Sequence, residues 1–176
     1  LFRHVGPDTD VPAGDIGVGG REVGFIAGMY KKLTNTAACT FTGKGLSFGG
    51  SLIRPEATGY GTVYFAQEML STRGQELAGK RVSVSGSGNV AQYAVEKALQ
   101  LGATVVTVSD SGGTVYDPAG FTPEKLAQLM EIKNERYGRA SEYAALVGAQ
   151  FLADQQPWSI PADITRPCAA QNELAA

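Results

Sequence analysis

The sequence is poor in the residues that build metal centres, disulfide frameworks and histidine-based catalytic sites. It contains one histidine, His4, and two isolated cysteines, Cys39 and Cys168. Neither cysteine has a second ligand at metal-binding spacing, and a Ser-His-Asp triad would have to rest on His4, near a chain end. We therefore expect no bound metal, and the sparse cysteines indicate a reducing, cytoplasmic location.

Long apolar runs and an excess of charge of one sign are also missing. No stretch approaches the length of a membrane-spanning helix, and the 15 basic and 17 acidic residues are interspersed along the 176-residue chain. We expect neither a membrane nor a nucleic acid as a partner. The chain opens on Leu1 without a signal sequence and stops without a closing element, so we expect both ends to be internal to a longer protein.

Glycine, in contrast, is abundant: the 23 glycines are concentrated in a few loops. The stretch "VPAGDIGVGGREVGF" places Asp15 directly after Gly14 and close to four further glycines. A phosphate-binding loop presents backbone N–H groups and positive potential, which a central carboxylate opposes. We favour a loop that directs an acid toward a substrate, while a solvent-facing turn with an Asx-type hydrogen bond stays open.

Hydrophobic periodicity predicts alternating helices and strands. We expect a helix over residues 21–33, a second from Pro55–Glu56 to Gly74, and helices over 122–136, with Thr122 as N-cap, and 141–147. Strands are predicted over 80–85 and from 103 to Asp110, and two short extended segments follow residue 150. The most plausible domain boundary lies between Ile53 and Arg54.

The first strand runs into "GSGNVAQYAVEKALQLGA", which contains the pattern G-x-G-x-x-A. Gly86 allows a tight turn, Gly88 lets the backbone approach a pyrophosphate, and Ala91 lets the helix lie close to the sheet. Asp110 ends the second strand at the spacing expected for a ribose-binding acid. The strand, helix and second strand around the pattern favour a dinucleotide site over an ordinary glycine-rich turn.

Four stretches carry a family resemblance: "DTDVPAGDIGVGGREVGF", "FTGKGLSFGGSLIRPEATGYG", "VSVSGSGNVAQYA" and "QQPWSIPADITRPCAAQNEL". With them, essentially the whole chain resembles the hexameric, NADP-type glutamate dehydrogenases of the glutamate, leucine, phenylalanine and valine dehydrogenase family. The resemblance implies an α/β fold. Residues 1–53 would be the C-terminal part of a substrate and oligomerisation (dimerisation) domain, and residues 54–176 the first part of a Rossmann-type NAD(P)-binding domain.

The resemblance also implies an activity in nitrogen assimilation and glutamate biosynthesis. This is the reversible reductive amination of 2-oxoglutarate with ammonium to L-glutamate, with hydride transfer from NADPH. Asp15 would transfer protons to and from the amino group, and Gly14 would lie against the amino-acid substrate. The cofactor would be bound by Thr58, Gly86, Gly88, Asn89, Val90, Asp110, Ser111, Lys133 and Asn172.

The family's catalytic lysine, its substrate-carboxylate lysines and much of its subunit interface lie upstream of Leu1. We therefore expect this chain alone to be inactive, and the full-length protein to be a homohexamer. The family's usual threonine before "QNEL" is Ala170 here, which removes a hydroxyl from that loop.

Several residues allow two interpretations. Asp110 favours NAD over NADP, whereas Lys133 is the family's candidate partner for the 2′-phosphate or else a solvated lysine; we favour NADP, with NAD possible. Thr58 either contacts the cofactor or bonds to its own helix backbone, and the neighbouring Gly59 and Gly61 favour contact because glycines weaken a helix. Asn172 is either a cofactor contact or a loop residue.

Two other functions stay open. One is a related enzyme acting on branched or aromatic amino acids, and the other is a dinucleotide-sensing protein without catalysis.

Overall fold

The computed structural model of the chain describes residues 2–38 and 40–174, so Cys39 lies outside the described residues. Two compact units divide the chain, Leu1–Arg54 and Pro55–Ala176. Among the described residues, no helix combines the length and the apolar character that crossing a bilayer requires.

The first unit is built around one helix, α1 (Gly20–Thr34), as the periodicity predicts. The carboxylate of Glu22 accepts the backbone N–H of Gly19 at 2.9 Å, which satisfies a donor at the start of the helix. Asn35, in the left-handed region with φ 52°, ends it. The helix packs through Val23, Ala27 and Tyr30 against Phe41 and neighbouring residues.

In the described part of the chain, the second unit contains a five-stranded sheet. Its strands are β1 Arg81–Val84, β2 Thr104–Asp110, β3 Gly113–Tyr116, β4 Gln150–Ala153 and β5 Ile164–Arg166. Their order is β4-β3-β2-β1-β5; β5, β1 and β2 are mutually parallel, and β3 and β4 continue the sheet antiparallel. The sequence predicts four of these but not β3, which turns back onto β2 through the two residues Ser111 and Gly112.

The remaining helices are α2 (Ala57–Ser71), α3 (Asn89–Gln100), α4 (Pro123–Met130) and α5 (Ala140–Val147). Thr122 is the N-cap of α4, as predicted: its hydroxyl accepts the N–H of Lys125 at 3.3 Å. The helix expected to reach residue 136 does continue beyond Met130, but as a π-helical segment, Glu131–Glu135.

The core of the second unit lies between the sheet and its helices. Small residues of α3 let the helix lie close to the strands, as expected for Ala91, which is fully buried. Phe121 stacks on Tyr143 at 5.6 Å between ring centroids. Other fully buried side chains include Leu129, Ile132 and the strand valines Val82, Val84, Val105, Val106, Val108 and Val115.

Buried hydroxyls join the two central strands. The register of β1 against β2 shifts between Val82 and Ser83, and the hydroxyl of Thr107 accepts the N–H of Val84 at 2.9 Å across the irregularity. Ser83 and Thr107 also pair through their hydroxyls at 3.0 Å. These bonds satisfy polar groups that a shifted ladder would otherwise leave unpaired inside the sheet.

Candidate functional site

The carboxyl ends of the three parallel strands meet at one edge of the sheet, with β1 between β2 and β5. The chain leaves β1 toward α3 and β2 on one side, while β5 pairs with the other side. In open α/β sheets, ligands bind outside the carboxyl ends of the strands where the connections diverge in this way. The loops after β1, β2 and β5 therefore form the candidate site.

The loop after β1 turns at Gly86, which has a φ of +79°. A Cβ on Gly86 would lie 2.8 Å from the carbonyl oxygen of Cys168, in the loop after β5. The Gly86 N–H donates to the hydroxyl of Ser109 at 2.9 Å, and its carbonyl accepts the Ser109 N–H at 3.0 Å. Both the backbone angle and the crowding require glycine, so the tight-turn role expected of Gly86 agrees with its geometry.

Gly88 is glycine for a different reason. It is the N-cap residue of α3 in extended conformation, no side chain caps the helix, and the first turn contains no acidic residue. A Cβ on Gly88 would meet no atom within 4 Å among the described residues. The open space and the backbone N–H groups that begin the helix, including those of Asn89 and Val90, fit an anionic phosphate group.

The start of α2 is tied to this loop. The side-chain amide of Asn89 donates to the carbonyl oxygen of Pro55 at 2.8 Å. A Cβ on Gly59 would lie 2.6 Å from Cβ of Tyr93 and 2.8 Å from the carbonyl oxygen of Val90. Helix α2 therefore approaches α3 through a backbone contact.

This contact corrects the interpretation of the α2 glycines. Gly59 is required by the packing of α3 rather than by a ligand, whereas a Cβ on Gly61 would have open space among the described residues. Thr58 is exposed, and in the described part of the chain its hydroxyl makes no bond to the helix backbone. Its side chain is therefore free to contact a ligand.

Asp110, at the end of β2, accepts hydrogen bonds from other parts of the chain. One carboxylate oxygen accepts the N–H of Gly112 at 2.9 Å, and the other accepts the N–H of Ala140 at 2.8 Å. Lys133 lies 3.7 Å from the second oxygen, and the Asp110 side chain is only 10% exposed. The acid therefore shapes the turn and the start of α5, and it is not an open acceptor for a ribose hydroxyl.

Two basic residues border the tip of β2. Lys133 is on the π-helical segment, is 18% exposed and donates to the carbonyl oxygen of Gly138 at 2.9 Å. Lys133 is therefore mostly buried and paired within the chain. Arg139 donates to the hydroxyl of Ser111 at 2.9 Å. Arg139 is not among the sequence-predicted site residues, although a basic residue two positions before a predicted helix was a usable signal because the positive end of the helix dipole repels it.

The loop after β5 is held by Glu173. Its carboxylate accepts the backbone N–H groups of Ala169 at 2.9 Å and Ala170 at 2.6 Å, and its carbonyl accepts the indole N–H of Trp158 at 3.0 Å. The loop thus has anchors other than a hydroxyl at position 170. Asn172 is exposed and has a φ of +61°, which suits a turn residue and leaves its side chain accessible.

Cys168 joins the loops after β1 and β5. Its backbone N–H donates to the hydroxyl of Ser85 at 2.9 Å. Burial raises the pKa of the thiol to about 11, against the opposing effect of the nearby Arg166 guanidinium. The thiol is therefore a neutral packing group at physiological pH.

Asp15 belongs to the first unit. Its N–H donates to the carbonyl oxygen of Val18 at 3.1 Å and its carbonyl accepts the Val18 N–H at 2.8 Å, which closes a tight turn with Gly17 at φ +73°. A Cβ on Gly14 would lie 2.9 Å from the carbonyl oxygen of Val18. The carboxylate is exposed and, among the described residues, accepts no hydrogen bond, so the turn does not use it as an Asx-type acceptor.

Within residues 2–38 and 40–174, no group of three or more His, Cys, Asp or Glu side chains is arranged to hold a metal ion. His4 is exposed on a short 3-10 turn, Phe2–His4.

The sheet edge and its uncapped helix define the first part of a Rossmann-type dinucleotide-binding domain. Residues 49–176 match the sequence profile of the glutamate/leucine/phenylalanine/valine dehydrogenases, and the chain belongs to this family.

Two named relatives align with nearly the whole chain. An NADP-specific glutamate dehydrogenase from Salmonella typhi is 70% identical over 99% of the chain, and an NAD(P)-specific glutamate dehydrogenase from Xylanibacter ruminicola is 62% identical over the same share. The crystal structure of Plasmodium falciparum glutamate dehydrogenase is 50% identical and superposes with a TM-score of 0.83 over 99% of the chain and 38% of its own. The chain spans 39% of the length of both named relatives.

Proposed function

We propose that this chain is part of an NADP-dependent glutamate dehydrogenase, which converts 2-oxoglutarate, ammonium and NADPH reversibly to L-glutamate. The observation that carries the proposal is the open N-terminus of α3 at Gly88, next to the two basic residues at the tip of β2. The relatives named for this activity support it. In this assignment, residues 1–53 complete the substrate and oligomerisation domain, and residues 54–176 begin the cofactor domain.

The cofactor supplies the hydride for reduction, and the chain supplies the surface that holds it. Gly86 and Gly88 shape a loop against which a pyrophosphate fits, and the N–H groups at the start of α3 attract its negative charge. Thr58, Asn89 and Val90 border this loop, because α2 begins beside it. Asn172 presents an accessible side chain from the loop after β5, where we assign the nicotinamide ribose.

The contacts of Asp110 support NADP over NAD. Its two oxygens each accept a backbone N–H and its side chain is only 10% exposed, so it is poorly accessible to a ribose 2′-hydroxyl. Its negative charge is partly balanced by Lys133. Lys133 and Arg139, with the hydroxyl of Ser111 in the turn after β2, are donors of the kind that bind a phosphate. We assign the 2′-phosphate to these three residues, with NAD as the weaker cofactor.

Asp15 is assigned the proton transfers at the amino group. Formation of the amine from an imine requires a proton at nitrogen, and the reverse reaction requires a base that removes it. Among the described residues the Asp15 carboxylate accepts no hydrogen bond, and both Asp15 and Gly14 are exposed, so both are accessible to a substrate. Catalysis also needs the family's lysine upstream of Leu1, so the chain alone is expected to be inactive. The full-length protein is expected to be a cytoplasmic homohexamer.

The test is turnover by the full-length protein. NADPH consumption with 2-oxoglutarate should depend on ammonium and should exceed consumption of NADH. Branched or aromatic 2-oxo acids used in place of 2-oxoglutarate test the related enzymes, and faster turnover with either would replace the proposed substrate. Binding of NADPH without turnover of any oxo acid would favour the sensing protein.

A substitution tests the cofactor assignment separately. Lys133→Ala should lower the ratio of kcat/KM for NADPH to that for NADH by roughly tenfold or more, because a charge-assisted phosphate contact is lost. The matched control is Lys80→Ala, since Lys80 directly precedes β1, at the opposite edge of the sheet. An unchanged ratio in Lys133→Ala would remove Lys133 from the phosphate site.

A further inference from the structure

A buried glutamine links the loop after β1 to the segment that carries Lys133. Gln92, in the first turns of α3, is 2% exposed. Its amide nitrogen donates to the carbonyl oxygen of Ser87 at 2.8 Å and to the side-chain oxygen of Asn134 at 3.0 Å. The amide nitrogen of Asn134 donates back to the side-chain oxygen of Gln92 at 3.0 Å. The Gln92 amide thus makes three hydrogen bonds that join Ser87, between the two fingerprint glycines, to Asn134.

Asn134 belongs to the π-helical segment Glu131–Glu135. The N–H of Arg136 reaches the carbonyl oxygen of Glu131 at 3.2 Å, five residues back, and the N–H of Gly138 reaches that of Ile132 at 2.8 Å, six residues back. Such widened turns are rare and occur frequently at functional sites. Side chains of this segment also contact the rest of the fold.

Lys133 lies between two anchored neighbours in this segment. Ile132, on one side, is 1% exposed and packs in the core of the second unit. Asn134, on the other side, is held by Gln92. The side chain of Lys133 then reaches Gly138 and Asp110. The amide pair therefore sets where the Lys133 backbone lies relative to the loop of Gly86 and Gly88.

We propose that the Gln92–Asn134 pair is a positioning element for cofactor selection, which holds the 2′-phosphate partner Lys133 at a fixed separation from the pyrophosphate loop. The inference rests on the proposed function, which assigns the 2′-phosphate to Lys133 and the pyrophosphate to the loop of Gly86 and Gly88. A ligand with both phosphates contacts the loop and the π-helical segment at once, so it needs a fixed distance between them. A ligand without the 2′-phosphate needs the loop alone. Loss of the amide pair therefore weakens binding of the first ligand selectively.

The experiment measures binding rather than turnover. Isothermal calorimetry on the full-length protein gives the Kd of adenosine 2′,5′-bisphosphate and of adenosine 5′-monophosphate, and the ratio of the two reports the contribution of the 2′-phosphate. Asn134→Leu and Gln92→Met each remove the pair. Asn134 is exposed, so its variant is expected to fold even if the change at the buried Gln92 is not tolerated. Gln100→Met, the same change at the end of α3, is the matched control.

Thermal unfolding separates positioning from stability. Asn134→Leu leaves the buried Gln92 amide without its partner and should lower Tm, whereas Gln92→Met with Asn134→Leu removes both amides and should recover part of the loss, since the Ser87 carbonyl still loses its donor. The binding ratio should fall by on the order of tenfold in the single and the double variants, because a misplaced lysine loses its phosphate contact. A ratio that recovers together with Tm in the double variant would show a purely structural role and would overturn the proposal.

The remaining outcomes distinguish the two proposals. If the wild-type protein binds the two nucleotides equally and Lys133→Ala changes neither Kd, the 2′-phosphate site fails and the positioning role fails with it. If Lys133→Ala abolishes the preference but Asn134→Leu and Gln92→Met preserve it, the site stands and the positioning role is overturned. An equal effect of Gln100→Met would also overturn it.

Discussion

The carboxylate of Asp110 accepts the backbone N–H of Ala140 at 2.8 Å, which joins the tip of β2 to the first turn of α5. Ala140 is fully buried, so this N–H has no access to water. The residue before it is Arg139, whose guanidinium reaches Ser111 beside Asp110. Asp110, which the sequence pattern assigns to a ribose, thus links β2 to α5 and thereby places Arg139 at the site.

This link predicts a loss of stability in Asp110→Ala. The free energy of unfolding should fall by about 1–3 kcal/mol, because a buried N–H is left without an acceptor. Asp110→Asn keeps one side-chain oxygen and should lose less. Urea denaturation measures both, with the exposed Glu135→Ala as control. A loss in Asp110→Ala no larger than in the control would show that the bond to Ala140 contributes nothing.

The two glycines of α2 should respond to alanine in opposite directions. Gly59→Ala places a methyl group 2.6 Å from Cβ of Tyr93 and should destabilise the fold by about 1–3 kcal/mol. Gly61→Ala enters open space within a helix and should stabilise it by about 0.4–1 kcal/mol. The measurement is the urea midpoint of the two variants side by side. Equal effects would contradict the close approach of α2 and α3.

Asp15→Asn tests the proton-transfer role in the full-length enzyme. The substitution preserves size but removes the base, so kcat should fall by about 10²- to 10⁴-fold. The Kd of NADPH should stay unchanged, since Asp15 is assigned to the amino group rather than to the cofactor. Asp8→Asn, which alters another exposed acid of the first unit, is the control. A decrease of less than threefold in kcat would remove Asp15 from the chemistry.

Cys168 should be protected from alkylation. Burial raises its pKa to about 11 from an ordinary value of 9.0, so the thiolate fraction at pH 8 is about 100-fold lower than for a free thiol. The measurement is the rate of iodoacetamide labelling in a Cys39→Ser background, with urea-unfolded protein as the reference.

The same shift predicts a dependence of stability on pH. The folded state holds the proton of the Cys168 thiol more tightly than the unfolded state does. The stability that the protonated thiol contributes is therefore fully present below pH 9 and is lost as the pH rises through 11. Urea midpoints across this range should therefore fall less in Cys168→Ala than in the parent. Equal slopes would show that the thiol does not titrate in this way.

Much of the second unit follows from local sequence pattern. The apolar run ending at Asp110, the Thr122 cap and the fingerprint around Gly86 predict strands, helix starts and a tight turn that the structure contains. These features depend on neighbouring residues, so periodicity and backbone preference are sufficient to identify them. Strand β3 is an exception: it begins at a glycine, Gly113, directly after a turn, and its pairing with β2 and β4 is what makes it a strand.

The sequence by itself determined the family and the pattern of glycines, because glycine requirements and motif spacing are local properties of the chain. Only the tertiary structure decided how the charged and polar groups are used. Asp110 binds Ala140, Lys133 binds Gly138, and Gln92 binds Asn134 across distances of 5 to 42 residues in sequence. Such partners depend on how helices and strands pack. A side chain can bind a ligand only with the donors and acceptors that these internal bonds leave unused.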